Sequence, residues 1–207
     1  MAHVSAAERR PQLIKAAIDL MMREGVAAGS TRAIAAELGV AQATVHYTFG
    51  AKEELYCAVI EQLTRDLVTQ VERAAPVDAG FEETVGQMTV ALWRTVREQP
   101  TSHQLLLELA MVALRTPALS GHLDRHYLSV TEVTARLITE AAERTGQPLA
   151  QSAETIARFF LAGFEGLTLS RLSHPDDEAE NACLQTFVSA VVAMAGGRPA
   201  LAPVPAS

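Results

Sequence analysis

Between residues 30 and 52 the chain reads STRAIAAELGVAQATVHYTFGAK, and its polar side chains are of the kinds that grip nucleic acid. Gln42 can pair bidentately with a base edge, and Thr44 can donate to a base or phosphate while its methyl meets a thymine methyl. Ala41 and Ala43 are small and allow close approach, and His46, Tyr47 and Thr48 carry polar tips that reach phosphate oxygens. Thr31 and Arg32 open one short helix and Lys52 opens another. At such a start the helix dipole and the side chain both favour a phosphate. Phosphate contacts position a protein on a duplex, and base contacts choose the sequence.

Such groups work only if the backbone holds them. Gly39 permits the positive φ of a sharp turn, and Ile34, Leu38, Val40 and Val45 can pack beneath it. The spacing predicts short helices over 32–38 and 41–48, a helix-turn-helix whose second helix enters a major groove. Before it, Ile14, Ala17, Leu20 and Met21 form a helical stripe that stops at Gly25. Ser5 and Glu8 have capping-box spacing, but Pro11 suits a first turn, so the reading starts this helix near the proline and leaves 1–9 as a flexible arm. After it, Lys52 opens a helix with Leu55, Val59, Leu63, Leu67 and Val71 on one face. Five more helices are expected near 81–99, 102–115, 118–145, 150–173 and 175–195, broken at prolines and glycines. The expected fold is all-α with about nine helices, ending in a disordered proline-rich tail over 198–207.

The first sixty or so residues resemble the DNA-binding domain of the TetR/AcrR family of bacterial repressors. The matching residues are Ile14, Ala17, Leu20, Gly25, Thr31-Arg32, Ile34-Ala35, Leu38-Gly39-Val40, Val45-His46-Tyr47, Phe49, Lys52-Glu53 and Leu55. The resemblance implies an all-helical dimer with a variable ligand-binding body. It also implies DNA-facing positions for Thr31, Arg32, Gln42, Thr44, Tyr47 and Lys52. His46 departs from the family pattern, which commonly has tyrosine there; its protonation would make DNA binding pH-sensitive.

Composition agrees with this division. The 207 residues carry a net charge of −7, yet residues 1–52 hold six basic against four acidic groups, and the remainder holds 11 against 20. No apolar run approaches the roughly 18 residues of a membrane helix, and MAHVSAAERRPQ has no signal-like apolar stretch, so a cytoplasmic location is expected. Cys57 and Cys183 then read as small buried hydrophobes. There is no HExxH, phosphate-cradling glycine loop or nucleophile elbow, so neither catalysis nor a cofactor is expected.

The body offers three further patterns. His122 and His126 share a helical face and have metal-ligand spacing, with His103 or Glu132 as distant further ligands; the plain alternative is a pair of surface or part-buried histidines. Met88, Trp93, Met111, Tyr127, Phe159 and Phe164 could wall a small-molecule pocket, with His103, Gln104 and Glu108 as polar anchors. Ile156, Phe160, Gly163 and Leu167, with Cys183, Phe187, Ala190, Val191 and Met194, form apolar stripes suited to a four-helix dimer interface. Asp176, Asp177, Glu178 and Glu180 read as the acidic first turn of the last helix.

The expected organisation is an arm (1–9), a DNA-binding domain (10–55, motif 30–49), a ligand-binding and dimerisation domain (56–197) and the tail. The expected function is a homodimeric operator-binding repressor released by a small-molecule effector, with no membrane partner. The alternative is a metal-responsive regulator of the same architecture using His122 and His126.

Overall fold

A computed structural model describes residues 6–74, 76 and 78–198. Among the described residues the chain is all-helical, with no strand: α1 Ala6–Glu24, a 3-10 turn Val26–Ala28, α2 Thr31–Glu37, α3 Gln42–Phe49, α4 Lys52–Ala74, α5 Phe81–Glu98, α6 Pro100–Leu114, α7 Pro117–Thr145, α8 Ala153–Ser173 and α9 Asp177–Ala195. No helix is long and apolar enough to cross a membrane among those residues. The expected tail lies outside the described residues beyond Arg198.

Local chemistry sets the boundaries. Pro100 is in the first turn of α6, where its missing N–H costs nothing. Ser152 caps α8 by accepting from the Thr155 N–H at 3.1 Å. The acidic run does the same for α9: the Asp176 carboxylate accepts from the N–H groups of Glu178 and Ala179, and Glu180 accepts from the Asp176 N–H.

The start of α1 differs from expectation. The helix begins at Ala6 and carries Pro11 inside it, so residues 6–9 are helical where an arm was expected. So near the N-terminus, the proline forfeits one backbone bond from a helix that Leu13, Ala17, Leu20 and Met21 anchor in the core. Arg10 adds a tie: its guanidinium lies 4.8 Å over the Phe49 ring and donates to the Thr48 carbonyl at 3.4 Å.

The chain forms two compact units. The first comprises residues up to 67 and 99–128. Its core joins Leu13, Ala17, Ile34, Val45, Leu55 and Val59 to Leu105 and Leu109 of α6 and to Leu119 of α7. The packing unit around the helix-turn-helix therefore extends beyond the 10–55 segment. Cys57 is buried in this core, and desolvation pushes its thiol up to about 11, leaving it protonated at neutral pH.

The second unit comprises 68–98 and 129 onward, with α9 packed against both α5 and α8. Val85, Met88, Leu92, Trp93 and Val96 of α5 are buried there, as are Ile156, Phe160 and Phe164 of α8 and Phe187 and Val191 of α9. Arg171 ties the α8–α9 corner, donating to Asp177 and Glu180, each at 2.8 Å.

Candidate DNA-binding face

The turn between α2 and α3 is closed by backbone geometry. Ser30 caps α2, accepting from the Ala33 N–H. Gly39 has φ +66°, its N–H reaches the Ala36 carbonyl at 3.1 Å, and the Val40 N–H reaches the Ala35 carbonyl at 2.9 Å. These two bonds form a Schellman ending, which satisfies the last carbonyls of α2 and turns the chain into α3. Val40 and Leu38 pack on the core below.

Within α3, Val45 and Phe49 are one turn apart and buried, which fixes the rotation of the helix. Gln42, Ala43, His46 and Tyr47 consequently face out. Tyr47 is 89% exposed, so its ring packs on nothing and its hydroxyl stands in solvent. Gln42 donates to the Thr31 hydroxyl at 3.3 Å, which brings two expected DNA-facing groups from separate helices together. Ala41 is the N-cap of α3 and offers no side-chain cap, so the first N–H groups of that helix remain available as donors. Thr44 is half-buried; Thr48 spends its hydroxyl on the Thr44 carbonyl at 2.8 Å. Arg32 is exposed, as is Lys52, whose ammonium lies 5.0 Å over the Tyr56 ring.

His46 is held by its own turn. Its Nδ1 lies 3.0 Å from the Gly50 carbonyl. A carbonyl only accepts, so Nδ1 carries the proton and Nε2 is left at the surface. On this tautomer Nε2 is an acceptor, whereas the tyrosine hydroxyl common at this position in the family would be a donor.

A second feature ties this face to α6. The Glu108 carboxylate accepts the Val26 N–H at 3.1 Å, and the buried Tyr56 hydroxyl donates to the Val26 carbonyl at 2.9 Å. Residues from α6 and α4 thus hold both polar groups of one residue in the segment leading to α2. Glu108, expected among the pocket anchors, has its carboxylate in this clasp and on Gln104, at 2.9 Å. The only sequence signal was a lone acid in an apolar helix.

The other expected pocket residues are divided between the two units. His103, Gln104, Glu108, Met111 and Tyr127 belong to the first unit, and Met88, Trp93, Phe159 and Phe164 to the second. Trp93 and Phe164 do meet, edge to face, with centroids 6.0 Å apart. Met111, Tyr127 and Phe159 are exposed. A shallow groove of about 380 Å³ runs along α5 past Glu83, Gly86, Gln87, Val90, Ala91 and Arg94, none of which the sequence reading selected.

The expected dimer stripe divides between core and surface. Ile156, Phe160, Phe187 and Val191 are buried inside the second unit's own core. A Cβ on Gly163 would strike the Phe187 ring, so this glycine lets α9 approach α8 within one chain. Leu167 and Met194 are half-buried, while Cys183 and Ala190 are exposed, against the expectation of a buried Cys183. The outward stripe of α8 is instead Phe159, Ala162, Gly166 and Leu169, with Phe159 42% and Leu169 56% exposed. Helix α8 is apolar on two sides, and periodicity alone did not say which side the core takes.

The histidine pair is also accounted for. His122 accepts from Arg125 at 2.8 Å and faces Glu61 at 3.4 Å, while His126 pairs with Thr64 at 2.7 Å. No group of three or more metal-ligating side chains gathers among the described residues, and nothing favours the metal-responsive alternative.

An exposed polar helix, set by a closed glycine turn and backed by a helical body, defines a helix-turn-helix DNA-binding protein. The family described as "Bacterial regulatory proteins, tetR family" matches residues 13–59, and "Tetracyclin repressor-like, C-terminal domain" matches residues 79–194. The chain belongs to the TetR family. It is 28% identical over 194 residues to the HTH-type nicotine-responsive transcriptional repressor HdnoR of Paenarthrobacter nicotinovorans, covering 93% of this chain and 98% of that one. A transcriptional regulator from Rhodococcus sp. Rha1 has the same fold, with a TM-score of 0.75 at 17% identity over 94% of this chain and 99% of its own. The multidrug binding protein EbrR, solved with imidazole, superposes with a TM-score of 0.69 at 25% identity over 97% and 93% of the two chains. The protein is a DNA-binding, ligand-responsive transcriptional repressor.

Proposed function

We propose that α3 is the recognition helix and that Gln42, Thr44, Ala41 and Ala43 face base edges, with Thr31, Arg32, His46, Tyr47 and Lys52 on phosphates. The observation that carries this is the rotation of α3: Val45 and Phe49 are buried while Tyr47 is 89% exposed. Residues 10–55 act as the DNA-binding domain, and 56–197 serve ligand binding and dimerisation, in the cytoplasm and without catalysis. A homodimer fits two half-sites, and the exposed α8 stripe Phe159, Ala162, Gly166 and Leu169 supplies an apolar face for the partner.

The effector is a small organic molecule bound by the second unit. HdnoR is by its name nicotine-responsive, and EbrR was solved with imidazole and with ethidium. Binding must favour a state in which the two recognition helices no longer fit the operator; only that difference in affinity shifts the equilibrium.

The test is selection of bound duplexes from a random pool, followed by titration. A palindromic consensus is expected; Tyr47→Ala and Lys52→Ala should weaken binding to all sequences, and Gln42→Ala should relax the preference at one base pair. Nicotine is the first effector probe. A pool that yields no preferred sequence at low salt refutes the reading.

A further inference from the structure

We infer that the indole N–H of Trp93 is the polar anchor of the effector site, and that the effector is a planar aromatic molecule presenting an uncharged hydrogen-bond acceptor. This rests on the reading that the second unit binds the effector.

Trp93 is 4% exposed, and its Nε1 has no hydrogen-bond partner among the described residues. A buried donor left unpaired costs about 1–3 kcal/mol, so native cores hold few of them. The rest of this core is satisfied with care. Thr89 donates to the Val85 carbonyl, Thr134 to Val130 and Thr168 to Phe164, each at 2.8–2.9 Å. A core that pairs its buried hydroxyls locally leaves this one strong donor unspent.

Its surroundings say what could use it. Phe164 meets Trp93 edge to face at 89°, and Phe160 lies parallel to Phe164 with centroids 6.2 Å apart. A planar ring can stack in that series and accept from the indole. Thr89 lies one turn before Trp93 on α5, and Thr168 one turn after Phe164 on α8, so the hydroxyls nearest in register keep lone pairs for a donor on the ligand. Among the described residues no buried cation is at hand to hold a carboxylate; Arg94, next to Trp93 in sequence, is exposed and lines the groove along α5. Arg97 sits on Asp177, Arg171 on Asp177 and Glu180, and Arg144 on the Ala79 carbonyl and Thr84. Burying an anion without a partner is far costlier than burying a neutral nitrogen or carbonyl.

Quinoline and naphthalene test this, being near-isosteres that differ by one acceptor nitrogen. Trp93 is the sole tryptophan, so its emission and its single indole N–H resonance report on this site alone. The full chain is expected to bind quinoline about tenfold more tightly than naphthalene, the worth of one hydrogen bond. Quinoline should move the indole N–H resonance downfield and naphthalene should not. By calorimetry, the preference should vanish in Trp93→Phe, a variant checked for folding by its retained DNA binding. Equal affinities, a stationary resonance, no binding of either probe, or a preference that survives in Trp93→Phe each overturn the inference. The wider reading fails separately. Nicotine releasing DNA while the indole resonance stays fixed removes only the Trp93 anchor, whereas a chain that selects no DNA removes the repressor reading.

Discussion

Glu108→Leu should destabilise the first unit and weaken DNA binding together. The Val26 N–H donates to a half-buried carboxylate at 3.1 Å, and bonds to charged groups are worth about 1.5–3 kcal/mol. Leucine matches the volume and suits α6, so the loss is the unpaired N–H rather than helix propensity. The second Glu108 bond, to exposed Gln104, adds little. A loss of about 2 kcal/mol lowers Tm by roughly 4–8 °C for a chain of this size. Glu108→Gln keeps a neutral acceptor for Val26 and should lose about half as much. Tyr56→Phe removes the donor to the Val26 carbonyl and should cost about 1 kcal/mol, and because both bonds hold the same residue the double variant should not be additive. Thermal melts by circular dichroism give the first number and duplex titration at fixed salt the second. A Glu108→Leu variant that melts with the wild type would refute the clasp. One that melts lower with unchanged DNA affinity would show that the clasp supports the fold and not the face.

Gly163→Ala should cost about 1–3 kcal/mol, because the added methyl displaces the Phe187 ring; Gly166→Ala, where a Cβ meets nothing within 4 Å, should be near neutral in the monomer, and denaturant titration separates the two. His126 is neutral at pH 7, because burial lowers its pKa below the usual 6.5. As pH falls below about 6.5 the unfolded chain takes up a proton the folded one resists, so stability present above that pH declines; His126→Gln should flatten the decline in melts at pH 5 and pH 8. Lys52→Ala should reduce the slope of log affinity against log salt by about 1 per subunit, measured on any duplex.

What the sequence displays depends on how unequal the two sides of an element are. In α3 the contrast is sharp: Val45 and Phe49 against Gln42, Ala43 and His46, so its buried and outward sides can be read directly. The breaks are as clear, since Gly25, Gly39 and Gly50 all adopt positive φ where the chain turns. In α8 the run Phe159-Phe160-Leu161-Ala162-Gly163-Phe164 is apolar all round, and only packing against α9 chooses Phe160 over Phe159 for the core. Pro11 misleads for another reason: a local cost of one backbone bond is outweighed by the tertiary contacts of the helix around it. The Val26 clasp joins residues 82 positions apart, and no local pattern foretells it.

The charge distribution bears on how such a face discriminates. Residues 1–52 carry +2 and the rest −9, so long-range attraction to DNA is weak. Of the six cations in this segment, Arg9 donates to Gln12, Arg10 lies over Phe49 and donates to the Thr48 carbonyl, Lys15 pairs with Asp19 and Arg23 with Glu24 and Glu37. Arg32 and Lys52, the latter over the Tyr56 ring, are the two proposed for phosphate beside α3. With those two on phosphate in each subunit, as proposed, a dimer would have a salt slope of about −3.6, shallow beside a slope near −10. The remaining affinity must come from neutral donors: the open N–H groups of α3, Gln42 and Tyr47. Neutral donors act only at hydrogen-bond distance, so they are lost with a small displacement of α3, whereas a field of cations would tolerate one. A face built this way makes DNA binding sensitive to small rotations of the unit that carries it, which is the property a ligand-released repressor needs.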